Sequence, residues 1–114
     1  MITRELSTTE VMQNPHGVDA RNLYTRDEAM VSVITLAPGE SLRRHITPVD
    51  VAFYVLQGTG VVEIGVERQE VNADTLVESP KDIRHCWYNE GSAVLRVMVI
   101  KAPKPTEKTV FVDD

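Results

Sequence analysis

Cysteine is almost absent from this 114-residue chain: Cys86 stands alone, so no internal disulfide can form. The fold must therefore be held by an apolar core, and a chain of this length can bury one without cross-links or a structural metal. Basic residues are also short, 12 Lys and Arg against 17 Asp and Glu for a net charge of -5, and they are scattered. That removes the electrostatic footprint of a nucleic-acid binder. No apolar run approaches the roughly 20 residues that cross a bilayer as a helix, and residues 1–20 carry no signal-peptide core. The expectation is a soluble protein of a reducing compartment, the cytoplasm, with neither nucleic acid nor membrane as a partner. A sustained helical period is missing too, which turns attention to strands.

What the chain does have is a series of short runs rich in branched residues, separated by turn residues. Met30 to Leu36 (MVSVITL) stops at Ala37-Pro38-Gly39, and Val51 to Leu56 (VAFYVL) stops at Gln57-Gly58-Thr59-Gly60. Val61 to Ile64 and Arg68 to Val71 flank Gly65-Val66-Glu67 as a hairpin would, and Thr75 to Glu78, Arg84 to Tyr88 and Ala93 to Ile100 continue the series. Val18 to Tyr24 and Thr109 to Val112 read as outer strands. Lys101 to Pro105, with its two prolines, reads as an edge or crossing segment. No repeat, low-complexity tract or linker divides the chain, so residues 1–114 are expected to form one all-β domain.

Two segments of this series carry a family pattern. Gly39 to Gly58 (GESLRRHITPVDVAFYVLQG) resembles the first conserved motif of the cupin superfamily, with Gly39, His45 and Gly58 in place. Residues 74–89, above all Pro80 to Asn89 (PKDIRHCWYN), resemble the second, with Pro80, His85 and Asn89 in place. The resemblance implies a double-stranded β-helix, the jelly-roll barrel, with His45 and His85 as metal ligands facing the lumen. The departures bear on function. Thr47 stands where the family has its second histidine, and Val51, seven residues before Gly58, where it has its glutamate. Asp82 and Asp74 stand at glycine positions of turns. A hydroxyl is a poor neutral donor and a valine is none, so two histidines make a weak site. The implied cofactor is a divalent transition metal, with zinc, nickel, iron, manganese and copper not distinguished by these donors, or none.

Strand alternation places Arg43 and Thr47 on the face of His45, and Trp87 on the face of His85. These five residues are the expected lumen set: His45 and His85 for a metal, and Arg43, Thr47 and Trp87 for a ligand. Arg43 reads either as a solvated strand end or as a clamp for a small anion. Trp87 reads as barrel filling or as an aromatic pocket wall. Asp50 points outward by alternation, as does Cys86, whose neighbour His85 then cannot activate it. His16, in Asn14-Pro15-His16-Gly17, reads as a solvated turn residue. The face of Arg96 is left open by the pattern, and Glu63 reads as outward alternation.

Three functions remain open at this level: a binder of a small molecule, anionic or not, in the lumen, with or without a weak, incomplete metal site; a metal-dependent cupin enzyme of isomerase, lyase, oxygenase or sugar-modifying type; and a decayed cupin kept for assembly or regulation. The resemblance, with the two-fold preference of soluble oligomers, adds a homodimer built on residues near Ile2 to Leu6 and Thr109 to Val112.

Overall fold

In the computed structural model, which describes residues 1–112, the alternating runs form ten strands, preceded by a 3₁₀ turn at Leu6–Thr8. They are β1 (Asp19–Thr25), β2 (Met30–Leu36), β3 (His45–Ile46), β4 (Asp50–Gln57), β5 (Thr59–Ile64), β6 (Glu67–Asn72), β7 (Leu76–Ser79), β8 (Arg84–Tyr88), β9 (Leu95–Ala102) and β10 (Val110–Phe111). Two antiparallel five-stranded sheets result, in the orders β1-β2-β9-β4-β7 and β10-β3-β8-β5-β6. Their inner faces enclose the core. The expected all-β barrel is thus observed, and every strand read from the sequence is present within a residue or two of its expected bounds. Two differences matter for function. The two-residue strand β3 had no pattern long enough to announce it, and β9 does not stop at Ile100 but continues through Lys101.

Period-two alternation explains which side chains fill the barrel. In β4, Val51, Phe53 and Val55 are buried, and in β9, Leu95, Val97 and Val99 are, with Arg96 exposed between them. Trp87, Phe53, Leu36 and Leu95 close the centre of the core. Burying each such side chain contributes about 1.5–3 kcal/mol, enough in sum for a small domain without a disulfide.

The turns account for the motif residues that have no direct chemistry. Gly58 has a φ of 86°, and a Cβ there would collide with the carbonyl oxygen of Val94. Asp74 and Asp82 adopt φ values of 66° and 64°, so both keep the left-handed backbone that glycine would favour. Buried Asn89 donates to the carbonyls of Leu36, at 2.9 Å, and Ala93, at 2.8 Å, while its oxygen accepts from the Gly91 N–H at 3.1 Å. The motif asparagine ties the loop before β9 to the end of β2. Cys86 is buried under Tyr88 on the outward side of β8, its thiol donating to Tyr88 Oη at 3.3 Å. Desolvation pushes that thiol's pKa up, which keeps it protonated and unreactive.

Candidate functional site

A cavity of about 410 Å³ opens between the two sheets. One sheet contributes Ala20, Ser32, Ile34, Val51, Phe53, Val99 and Lys101 to its wall, and the other contributes His45, His85 and Phe111. The segment before β1 closes one side with Met12, Asn14, Pro15 and His16. Most of the wall is apolar.

Cross-strand register brings the two motif histidines together. His45 and His85, 40 positions apart in sequence, are direct partners in the β3–β8 ladder. Side chains on directly opposed residues lie on one face within contact distance. Their Nε2 atoms are 3.1 Å apart and their ring centres 4.5 Å apart, with both residues buried.

The surrounding partners fix one consistent neutral arrangement. The carbonyl of Arg43 can only accept, so His45 carries its proton on Nδ1 and donates there at 2.7 Å. His45 Nε2 is then an acceptor, and His85 donates to it from Nε2. Thr47 Oγ1, 3.2 Å from the same His85 atom, accepts a share of that proton. His85 Nδ1 in turn accepts from the Ser79 hydroxyl at 2.6 Å. Burial favours this uncharged state. Desolvation first, then the neighbouring charges of His45, Lys101 and His16, lower the His85 pKa to about 3. His45 is also lowered, mainly by desolvation, against its bond to the Arg43 carbonyl.

His16, expected in solvent, belongs to the site. Its ring lies 4.9 Å from that of His45 and 5.3 Å from that of Phe111, and its Nδ1 accepts from the Arg43 N–H at 2.9 Å. The turn did form, with Gly17 at a φ of 70°, but it folds inward over the barrel mouth. Desolvation, aided by His45, Arg43 and Lys101, lowers the His16 pKa to about 4. All three histidines of the chain therefore meet in one cavity.

The other expected residues divide. Thr47 lines the cavity as expected. Arg43 does not: it is exposed, with its guanidinium 4.4 Å from the centre of the Phe111 ring, because the extended segment before β3 lacks the regular alternation assumed for it. Trp87 is fully buried beyond Phe53, with ring centres 5.5 Å apart, and packs the core instead of walling the cavity. Asp50 faces outward and accepts from the Lys81 N–H at 2.8 Å. Arg96 is exposed, and Glu63 pairs outside the barrel with Arg44 at 3.2 Å and Arg68 at 3.1 Å.

The cupin domain family model matches residues 32–101, which is 70 of the 114 residues. The chain belongs to the cupin family. No curated protein matches it significantly. Among solved structures, the polyketide cyclase RemF from Streptomyces resistomycificus is 17% identical with a TM-score of 0.83, covering 100% of this chain and 87% of that one. An RmlC-like cupin from Shewanella frigidimarina is 17% identical with a TM-score of 0.80, covering 90% of each chain. A predicted oxalate decarboxylase from Thermotoga maritima is 19% identical with a TM-score of 0.77, covering 98% of this chain and 100% of that one. At these identities the likeness concerns the fold.

Measured against the metal centre expected of a cupin, the donors in this barrel are too few. Thr47 and Val51 occupy the places of two ligands, and His16, whose Nδ1 accepts the Arg43 N–H, presents a donor N–H on its other nitrogen. The His45 Nε2 lone pair already accepts from His85. Among the described residues no group of three or more His, Cys, Asp or Glu is arranged to hold a metal ion. The side chains present do not fit a four-ligand centre. No helix of the described residues is long and apolar enough to cross a membrane.

Proposed function

We propose that this cupin binds a small molecule in its barrel lumen, with the ligand's apolar body against Ile34, Phe53 and Val99 and its polar head at the His45–His85 pair. The observation that carries this reading is the convergence of all three histidines on one largely apolar cavity of about 410 Å³. Such cavities span about 300–1,000 Å³ and combine apolar walls with a few fixed polar groups. A decayed barrel kept only for assembly would be expected to fill its lumen with apolar side chains. The hydrogen-bonded chain from Ser79 through His85 and His45 to the Arg43 carbonyl supports a maintained polar head site. A cytoplasmic homodimer is part of the proposal, and a monomer in sedimentation equilibrium would remove the dimer.

The test is a ligand screen read by thermal stability and by the emission of Trp87, the only tryptophan. Compounds that stabilise the wild type are expected to lose most of their effect in a His45→Ala, His85→Ala variant that remains folded. Equal stabilisation of both would place the ligand's head elsewhere. Metal analysis of untagged protein beside the same variant addresses the metalloenzyme alternative. Stoichiometric metal in the wild type and none in the variant would favour that alternative.

A further inference from the structure

Lys101 was not anticipated, because the sequence pattern ends its strand at Ile100, yet β9 carries it into the barrel. The buried run Leu95, Val97, Val99 has Lys101 as its next member on the same face, and the residue lines the cavity. In the ladder it lies directly opposite Val51 of β4 on one side and Met30 of β2 on the other. A cation thus stands beside the position where a cupin metal ligand has been replaced by valine.

Among the described residues nothing compensates that charge. Lys101 is partly buried, and no hydrogen bond or ion pair to its side-chain ammonium is found among the described residues. Among the described residues the wall holds Lys108 and the three histidines as well, but no aspartate or glutamate, in a chain whose net charge is -5. Desolvation lowers the lysine's pKa, and its charge in turn depresses the proton affinity of His16, His45 and His85. An ammonium partly withdrawn from water without a partner costs folding free energy. A ligand that brings the missing negative charge recovers that cost on binding.

We propose that Lys101 is the anion-recognising residue of the lumen, and that the ligand is a small carboxylic acid whose carboxylate pairs with the Lys101 ammonium. The proposal rests on the reading of the lumen as a ligand pocket and supplies its chemical class. A carboxylate suits the site better than a phosphate. Among the described residues two lysines, Lys101 within a strand and Lys108 in the loop before β10, and neutral imidazoles line the cavity, no arginine is part of its wall, and no helix N-terminus points into it. The apolar remainder of the wall fits a hydrocarbon or aromatic body. The same ammonium repels a divalent cation from the His45–His85 pair, in keeping with the incomplete ligand set.

Three acids, benzoate, phenylacetate and hexanoate, and their uncharged amides separate this proposal from the broader one when titrated by calorimetry into wild type and Lys101→Met. Methionine keeps the length of the side chain without its charge, and the ligand-free variant is expected to unfold at the same or a higher temperature. At least one acid should bind the wild type more tightly than its amide by about tenfold, the effect of one charge-assisted hydrogen bond. That preference should vanish in Lys101→Met, with amide affinity unchanged, and return in part in Lys101→Arg. Acids and amides binding the wild type equally, or an acid preference that survives in Lys101→Met, would overturn the role of Lys101 and leave the pocket standing. Binding by neither series would overturn both.

Discussion

Asp74 and Asp82 show how a single backbone angle can outlast the residue that usually supplies it. Both occupy turn positions where the cupin motif has glycine, and both hold a φ near that of glycine in a left-handed turn. An L residue pays a steric cost there, reduced but not removed for aspartate. Asp82→Gly is expected to stabilise the protein by about 0.5 kcal/mol, since the turn's bond from the residue-82 N–H to the Thr47 carbonyl survives the change. A shift of the urea midpoint in the opposite direction would show that the aspartate side chain contributes more than its conformation costs. At Gly58 the sign reverses. Gly58→Ala meets both a positive φ and the Val94 carbonyl, and should cost at least about 2 kcal/mol in the same measurement.

Strands were legible from sequence wherever a β-type run extended for four or more residues, and the site was legible where such a run or the motif spacing marked it. His45 and His85 were found because motif spacing marked them, and β8 lay within its expected bounds. Lys101 was missed because two prolines just beyond it mark the end of a strand, and the end was set two residues early. Continuing the alternation from Val99 would have placed it inside. No sequence rule places His16: its contribution depends on a turn folding over the barrel mouth, which only the assembled sheets define. The element that closes the opposite side of this mouth is β10, held to β3 by two residue pairs. Phe111 of β10 contacts the rings of His16 and His45 and carries the Arg43 guanidinium on its face. Phe111→Ala should therefore loosen the mouth at a modest cost of about 1–3 kcal/mol, below that of a fully buried phenylalanine. Faster ligand exchange with little loss of secondary structure is the expected result in stopped-flow and circular dichroism. Global unfolding would instead make β10 a requirement of the fold. Asn89→Ala is expected to be more damaging to stability, by about 2–3 kcal/mol, because it leaves the buried Leu36 carbonyl and the half-buried Ala93 carbonyl without their donor.

At the scale of the whole molecule, collecting every histidine in one cavity beside Lys101 ties the stability of the barrel to pH. In the unfolded chain each histidine gains its proton near pH 6.5. In the fold, burial lowers His85 to about 3 and His16 to about 4, and lowers His45 as well. Between those values the unfolded state binds more protons than the native state, so stability rises with pH across this window. The contribution is complete above about pH 6.5 and is lost progressively as the pH falls toward the folded values, by up to about 1.4 kcal/mol per pH unit for each histidine. The groups facing the histidines reinforce the effect: Lys101 and Lys108 in the wall and Arg43 outside it are cationic, and among the described residues the wall offers no carboxylate to shelter a charged imidazole. Urea midpoints should accordingly fall between pH 7 and pH 5, well above the range in which ordinary carboxylates titrate. His45→Gln, His85→Gln should flatten that slope while lowering stability at pH 7. A wild-type profile that stays level across this interval would mean that the imidazoles take up protons without unfolding the barrel. A carboxylate seated against Lys101 would move the profile in the same direction, because its negative charge raises the proton affinity of the histidines around it.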